Sequence, residues 1–285
     1  MTKFTFLCTV ALLFATTTFG QDQHLLGQFD RQALFQEPFS TWYRQGYEQY
    51  QVRKSYFKNL QTPLKDITVK VFLGTWCGDS KREVPQFLKI LDSQNVKPSQ
   101  IELIGTGESN GELYKQSPQH QEQGLGIFRV PTFVFFKDGK EIARIIESPV
   151  VSLESDINHI LNHEKYKPNY TFGNAVFQGI ETKQIVPSSV NMAEWADEYK
   201  NRSTGSSELN ALGYVLLKQN RTDDALFVFN LNALLYPNVG NVHDSLGEAH
   251  LKAGNKTLAI ACYQKVLLLD PKNQNALRIL KTLGQ

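Results

Sequence analysis

The chain has 285 residues, long enough for two modest domains that each bury a core of their own. Charged residues make up 20% and aromatic residues 11%, a globular composition rather than a disordered one. The net charge is +2 and no Lys/Arg cluster stands out, which argues against a nucleic-acid partner.

Residues 1–20 read as a secretory leader. Lys3 supplies the positive end, Phe4 to Phe14 is apolar apart from Thr5, Cys8 and Thr9, and Thr18 and Gly20 place small residues before a cut at Gln21. The apolar run is too short for a membrane span, so the expectation is an exported chain, periplasmic or secreted, with no stable span after cleavage. Cleavage removes Cys8 and leaves only Cys77 and Cys262, in different halves of the chain. A disulfide framework is thereby excluded, and two lone thiols in an oxidising compartment need a reason to exist.

Residues 21–64 form a lead-in with few periodic apolar positions and then a loose helical pattern carrying Trp42, Tyr43, Tyr47, Tyr50, Val52 and Tyr56. A domain over 65–166 follows. Ile67 to Leu73 is β-branched and apolar and reads as a buried strand. Asp79 to Leu91 is a helix with Val84, Phe87, Leu88 and Leu91 on one face. Ile101 to Ile104 and Pro131 to Phe136 are strands, Asp138-Gly139 closes a hairpin onto Glu141 to Ile146, and Ser152 to Leu161 is an amphipathic helix. The order predicts one compact α/β layer structure. Residues 167–205 read as a linker and a helix, because Pro168, Gly173, Gly179 and Pro187 are turn formers; on that reading, a chain lacking residues 190–285 keeps a folded α/β domain but captures partners less well.

From residue 206 to the C-terminus the pattern repeats. Leu212-Gly213, Ala225, Phe229 and Pro237 recur as Leu246-Gly247, Ala259, Tyr263 and Pro271, a period of 34 residues. That spacing resembles the tetratricopeptide repeat, a helix-turn-helix unit whose resemblance implies a surface for protein or peptide partners. The small residues permit close helix contact and each proline stops a second helix. Asn275 to Leu283 reads as a capping helix with Leu277 and Leu280 inward, and Trp195 as a closure of the other end.

The chemistry-bearing stretch is Thr75-Trp76-Cys77-Gly78-Asp79-Ser80, where a strand turns into a helix. With Pro85 inside that helix, Val130-Pro131-Thr132 before a later strand, and the Lys137-to-Lys140 turn, it resembles the thioredoxin family. The resemblance implies a thioredoxin-like fold, α/β, followed here by an all-α repeat domain. It also implies a nucleophilic role for Cys77, a cis-proline loop at Val130 and Pro131 facing it, and supporting roles for Trp76, Gly78, Asp79 and Ser80. A helix N-terminus places positive partial charge and free N–H groups at the sulfur, favouring the thiolate that attacks disulfides; Lys81 and Arg82 add to this and the Asp79 carboxylate opposes it.

Two departures from the family pattern are informative. Ser80 replaces the resolving cysteine, and Val71 stands where the family carries a buried acid that would deprotonate it. Such a site can form a mixed disulfide and needs an external thiol reductant for release; it requires no cofactor and no metal. The same residues also admit a redox-silent scaffold, an adaptor or chaperone-like binder in which Cys77 is a small structural side chain. His159 and His163, four apart on one helix, lack a third ligand and read as a solvated face. His243, His250 and Cys262 read as packing residues of the repeats.

Overall fold

The structure, a computed structural model, describes residues 24–108, 111–187 and 191–284. The expected leader and its cleavage point lie outside the described residues.

Five strands form one sheet in the order β1-β3-β2-β4-β5: β1 (Gly27–Phe29), β2 (Thr68–Leu73), β3 (Ile101–Gly105), β4 (Thr132–Lys137) and β5 (Lys140–Ile146). β2 runs parallel to β3 and antiparallel to β4, with Val71 between Leu103 and Phe133. Asp138 and Gly139 both take positive φ, +51° and +73°, the two-residue turn whose twist suits a hairpin. The start of the lead-in, where the sequence shows little periodicity, supplies strand β1, antiparallel to β3. A three-residue strand carries too little alternation to be seen in sequence. Its counterpart is Gly105, where a Cβ would lie 2.0 Å from the Leu25 carbonyl oxygen.

All three helices of the α/β part cover one face of the sheet. They are α1 (Ser40–Gln49), α2 (Gly78–Ser93) and α3 (Leu153–Leu161), packed in a core with Val71, Phe133 and Phe135 of the strands. Phe87 of α2 stacks on Phe133, ring centres 4.1 Å apart. The opposite face, Phe72, Ile104 and Val134, is covered by the Thr106-to-Val130 connection through Ile127 and Val130.

A buried carboxylate ties α3 to the lead-in. Glu154 is fully buried and accepts from the Tyr50 hydroxyl (2.9 Å), the Arg53 backbone N–H (3.1 Å) and the Arg53 guanidinium (3.0 Å). Burial alone would raise this carboxyl; the Arg53 and Tyr50 donors outweigh it and hold it below the ordinary range. A depressed folded-state value means the stability is present above the unfolded value, about 4.3, and lost as pH falls through the folded one. Glu154→Gln is therefore expected to lower stability at neutral pH and to flatten the acid side of a Tm-versus-pH curve measured from pH 7 down to pH 2. A parallel curve would show that the pair contributes nothing pH-dependent.

The segment expected as a linker is instead ordered as helix α4 (Thr171–Glu181), followed by α5 (Met192–Tyr199). Its glycines are contact points rather than turns. A Cβ at Gly173 would lie 2.9 Å from the Phe128 ring, and one at Gly179 would lie 2.4 Å from Ile185. Residue type alone does not distinguish a turn glycine from a packing glycine, and the boundary shifts for that reason.

The repeats follow as α6 (Ser206–Lys218) with α7 (Thr222–Leu235), α8 (Gly240–Lys252) with α9 (Lys256–Leu269), and α10 (Gln274–Thr282). Gly213 lies against Phe229 and Gly247 against Tyr263, as the period requires. The turn residues Asn220 and Gly254 both take positive φ. Helix α10 turns Ala276 and Leu280 inward, four apart on one face, and leaves Leu277 43% exposed rather than covering the end. Trp195 is half-buried on the side of the stack nearest α4.

The two parts share a core. Phe128 of the α/β part is buried with Phe172, Val176 and Phe177 of α4 and Leu209, Leu212 and Phe229 of the repeats. Glu208 at the start of α6 is fully buried and accepts from the Gly173 backbone N–H (2.7 Å) and from Thr204. The boundary expected at 167–205 is thus a packed joint, which alters what truncation does.

Candidate functional site

Cys77 precedes the first residue of α2 and sits in extended backbone, φ −83° and ψ 127°. The Cys77 N–H donates to the Gly74 carbonyl (2.9 Å), and the Cys77 carbonyl accepts from Lys81 (3.0 Å), so both sides of the turn are fixed. The sulfur is half-buried and directed at the Val130 carbonyl, 3.3 Å away. The Val130–Pro131 bond is cis. The structure therefore brings together three segments distant in sequence: the strand-to-helix turn, the loop before β4, and Thr106 at the end of β3, which accepts from the Trp76 indole N–H (2.9 Å).

The surrounding side chains divide into those that shape the turn and those that face outward. Trp76 packs over Gly74, where a Cβ would lie 2.5 Å from the indole. Ser80 is fully buried, and its hydroxyl accepts from the Gly74 N–H (3.1 Å). Gly78 borders open space, where an added Cβ would meet nothing within 4 Å. Asp79 is paired with Arg82 (2.7 Å), and Arg82 also binds Glu83 (2.7 Å). The Arg82 charge expected to act on the sulfur is committed to those two carboxylates. Val71 is fully buried in the apolar core behind the site.

The histidines and the second cysteine lie elsewhere. His159 is near Ser155 and Glu164, and His163 Nε2 is 2.8 Å from the Thr62 hydroxyl, so the two rings serve separate contacts. Cys262 is half-buried beside Gly247, and burial pushes its thiol up to about 11. His250 is buried within α8, and His243 stands 2.8 Å from the Pro237 carbonyl.

Three site residues carry no sequence signal. Lys115, Phe128 and Arg129 line the connection behind Val130, and their roles depend on where that connection folds back. Lys115 Nζ donates to the Phe128 carbonyl (2.8 Å), and the Arg129 guanidinium reaches Glu147 (2.9 Å) and the Ser207 carbonyl of α6 (2.8 Å).

Comparison with known proteins agrees with this geometry. The chain is 33% identical over 111 residues to a thioredoxin of Malassezia sympodialis, covering 38% of this chain and 94% of that one. It is 30% identical over 84 residues to thioredoxin Asp f 29 of Aspergillus fumigatus, 30% of this chain and 68% of that one. Against mitochondrial thioredoxin-2 of Schizosaccharomyces pombe it is 32% identical over 97 residues, 34% of this chain, and spans 65% of that relative's length. The chain belongs to the thioredoxin family. Residues 240–273 match the tetratricopeptide repeat, so the α/β part is joined to repeats of a kind that support protein–protein interaction.

Proposed function

We propose that this is an exported monothiol member of its family, which forms mixed disulfides through Cys77 with proteins gathered by its repeats. The carrying observation is the asymmetry of the turn. Cys77 is half-exposed beside the open space at Gly78, whereas Ser80, at the resolving position, is buried and engaged by Gly74. The Cys77 thiolate attacks one sulfur of a partner disulfide; the new bond is Cys77–S–S–partner, and the other sulfur leaves as thiolate and takes a proton. An external thiol then attacks the mixed disulfide and returns Cys77. The proposed export rests on the leader pattern at residues 1–20.

The reading is tested by intact-mass analysis after mixing the full chain with a disulfide-bonded unfolded protein and, separately, with a short disulfide peptide. One adduct per chain is expected, at Cys77, stable until dithiothreitol is added and absent from Cys77→Ala. Tyr214 is half-buried against the repeat core and donates to the exposed Glu248 (2.8 Å) across α6 and α8, the face taken in this proposal as the one that meets a partner. Tyr214→Ala with Glu248→Ala should lower the yield with the protein and leave the peptide unaffected. No adduct at Cys77 with either substrate would leave the redox-silent adaptor as the function.

A further inference from the structure

A cavity of about 300 Å³ lies in the joint between the two parts, bounded by the connection after β3, by α4 and by α6. Ile127, Phe177, Leu212 and Val215, all buried, make its apolar wall. Gly126 takes φ +64°, and a Cβ there would lie 2.5 Å from the Phe177 ring, so the connection and α4 close on each other along one side. Ile127 also belongs to the apolar cluster against which Trp76 and Cys77 pack, but Cys77 does not line the cavity. It is a second place on the molecule, at the small end of the range for ligand sites, about 300–1,000 Å³, and where two domains meet.

Its polar lining is one-sided. Glu122 is 3% exposed, and one carboxylate oxygen, Oε2, accepts from both the backbone N–H (3.0 Å) and the hydroxyl of Ser117. The other, Oε1, accepts from no group among the described residues; its polar neighbour is Nδ1 of His120, 3.5 Å away on a side chain 60% exposed, too far for a good hydrogen bond. Gln116, also 3% exposed, spends one amide N–H on the Tyr114 carbonyl at 3.5 Å, and its side-chain oxygen accepts nothing among the described residues. The cavity therefore offers acceptors that are not engaged.

The charges around it do not cancel. The Arg221 guanidinium is held by both Glu181 and Asp224 (2.8 Å), so the one strong cation of the lining is already spent on two carboxylates. Glu122 is left as a buried anion without a cation, and two donors from Ser117 orient it without neutralising it. A buried charge in that position calls for an opposite charge that also brings donors. The apolar wall beside it calls for a short hydrocarbon body.

We propose that this cavity is a binding site for an alkylammonium group, with the ammonium on Glu122 Oε1 and the Gln116 side-chain oxygen and the stem along Ile127, Phe177, Leu212 and Val215. The chemistry has two sources, a free small amine and the lysine side chain of a partner protein. Binding is independent of the redox state of Cys77, so the site stands whether or not the monothiol reading does.

The test is amide NMR of the isotopically labelled full chain, titrated with n-butylammonium chloride and, separately, with n-butanol, its uncharged counterpart. Saturable shifts are expected at the Gly124, Gly126 and Ile127 amides, with the ammonium bound about tenfold more tightly than the alcohol, the worth of one hydrogen bond to a charged group. Glu122→Gln should erase that preference. Gln219→Trp, which fills the cavity from the end of α6 and leaves the Ser117 bonds intact, should abolish saturation by both; it decides the matter if Glu122→Gln fails to fold. No saturable shift at these amides, equal affinity for ammonium and alcohol, or saturation that survives Gln219→Trp would overturn the proposal. Nα-acetyl-lysine amide separates the sources. Saturation of the same amides assigns the site to a partner's lysine, and its failure where n-butylammonium binds assigns it to a free amine.

Discussion

Ser80→Cys is expected to turn over where the parent, on the proposed monothiol mechanism, stalls after one attack. Residue 80 lies three positions beyond Cys77 in the first turn of α2, so its side chain is on the same side of the helix as the sulfur. A thiol there can attack the mixed disulfide, expel the partner and close an internal disulfide. The gain is expected to be at least about tenfold in dithiothreitol-driven reduction of a disulfide-bonded protein, a lowering of the barrier by about 1.4 kcal/mol. Two features hold it back. The Ser80 hydroxyl accepts from the Gly74 N–H, and sulfur accepts poorly, so the turn loses about 1 kcal/mol. Val71 offers no carboxylate to take the new thiol's proton. Adding Val71→Asp to Ser80→Cys should raise the rate further, whereas Val71→Asp alone buries an unpaired acid among Leu103 and Phe133 and should cost several kcal/mol. If Ser80→Cys neither forms an internal disulfide nor exceeds the parent's rate, the turn is not built for exchange.

Phe128→Ala should have the largest effect on stability, about 3–5 kcal/mol, with loss of Cys77 reactivity in the same variant. Phe128 is 1% exposed and touches Gly173 of α4, and its carbonyl holds Lys115 two residues before Val130. Truncating the ring leaves a cavity where the two parts meet and frees the segment that faces the sulfur. Deleting residues 190–285 strips the covering from the same ring and from Phe172, Val176 and Phe177 of α4. The fragment is therefore expected to melt well below the full chain and to bind a hydrophobic dye, rather than to persist as the independent domain the turn-rich boundary suggests. Urea unfolding of the full chain, the variant and the fragment decides this. Equal midpoints for fragment and full chain would mean that the shared core carries no stability.

What the sequence reveals and what it hides follow from the range of the interactions involved. The hairpin at Asp138-Gly139 and the helix pairs of the repeats depend on neighbours in sequence or on a fixed period, while the turn around Cys77 and the cis proline are legible through the family resemblance their residues carry. Each is readable from Trp76 to Ser80, from Val130-Pro131-Thr132, or from the recurrence of Gly213 at Gly247. Strand β1 is hidden because three residues give no periodicity, and α4 because Gly173 and Gly179 resemble turn residues until Phe128 and Ile185 are seen against them. Lys115 is silent for a related reason. Its burial and its approach to Phe128 arise from a connection that folds back without regular structure, and a lysine in a polar stretch reads as solvated. Arg82 reads as a free charge near the sulfur because its pairs with Asp79 and Glu83 depend on rotamers that spacing does not set.

The account turns on whether Cys77 attacks but cannot release. The most direct measurement is the thiol liberated when the full chain meets an excess of a peptide dimer joined by one intermolecular disulfide, with no other thiol present. Attack by Cys77 leaves one peptide on the chain and sets the other free. The expected result is a burst of one free peptide thiol per chain at neutral pH, followed by a plateau, with no burst from Cys77→Ser and renewed release on adding dithiothreitol. No burst from the parent, or continuous release beyond one equivalent without added thiol, would contradict it.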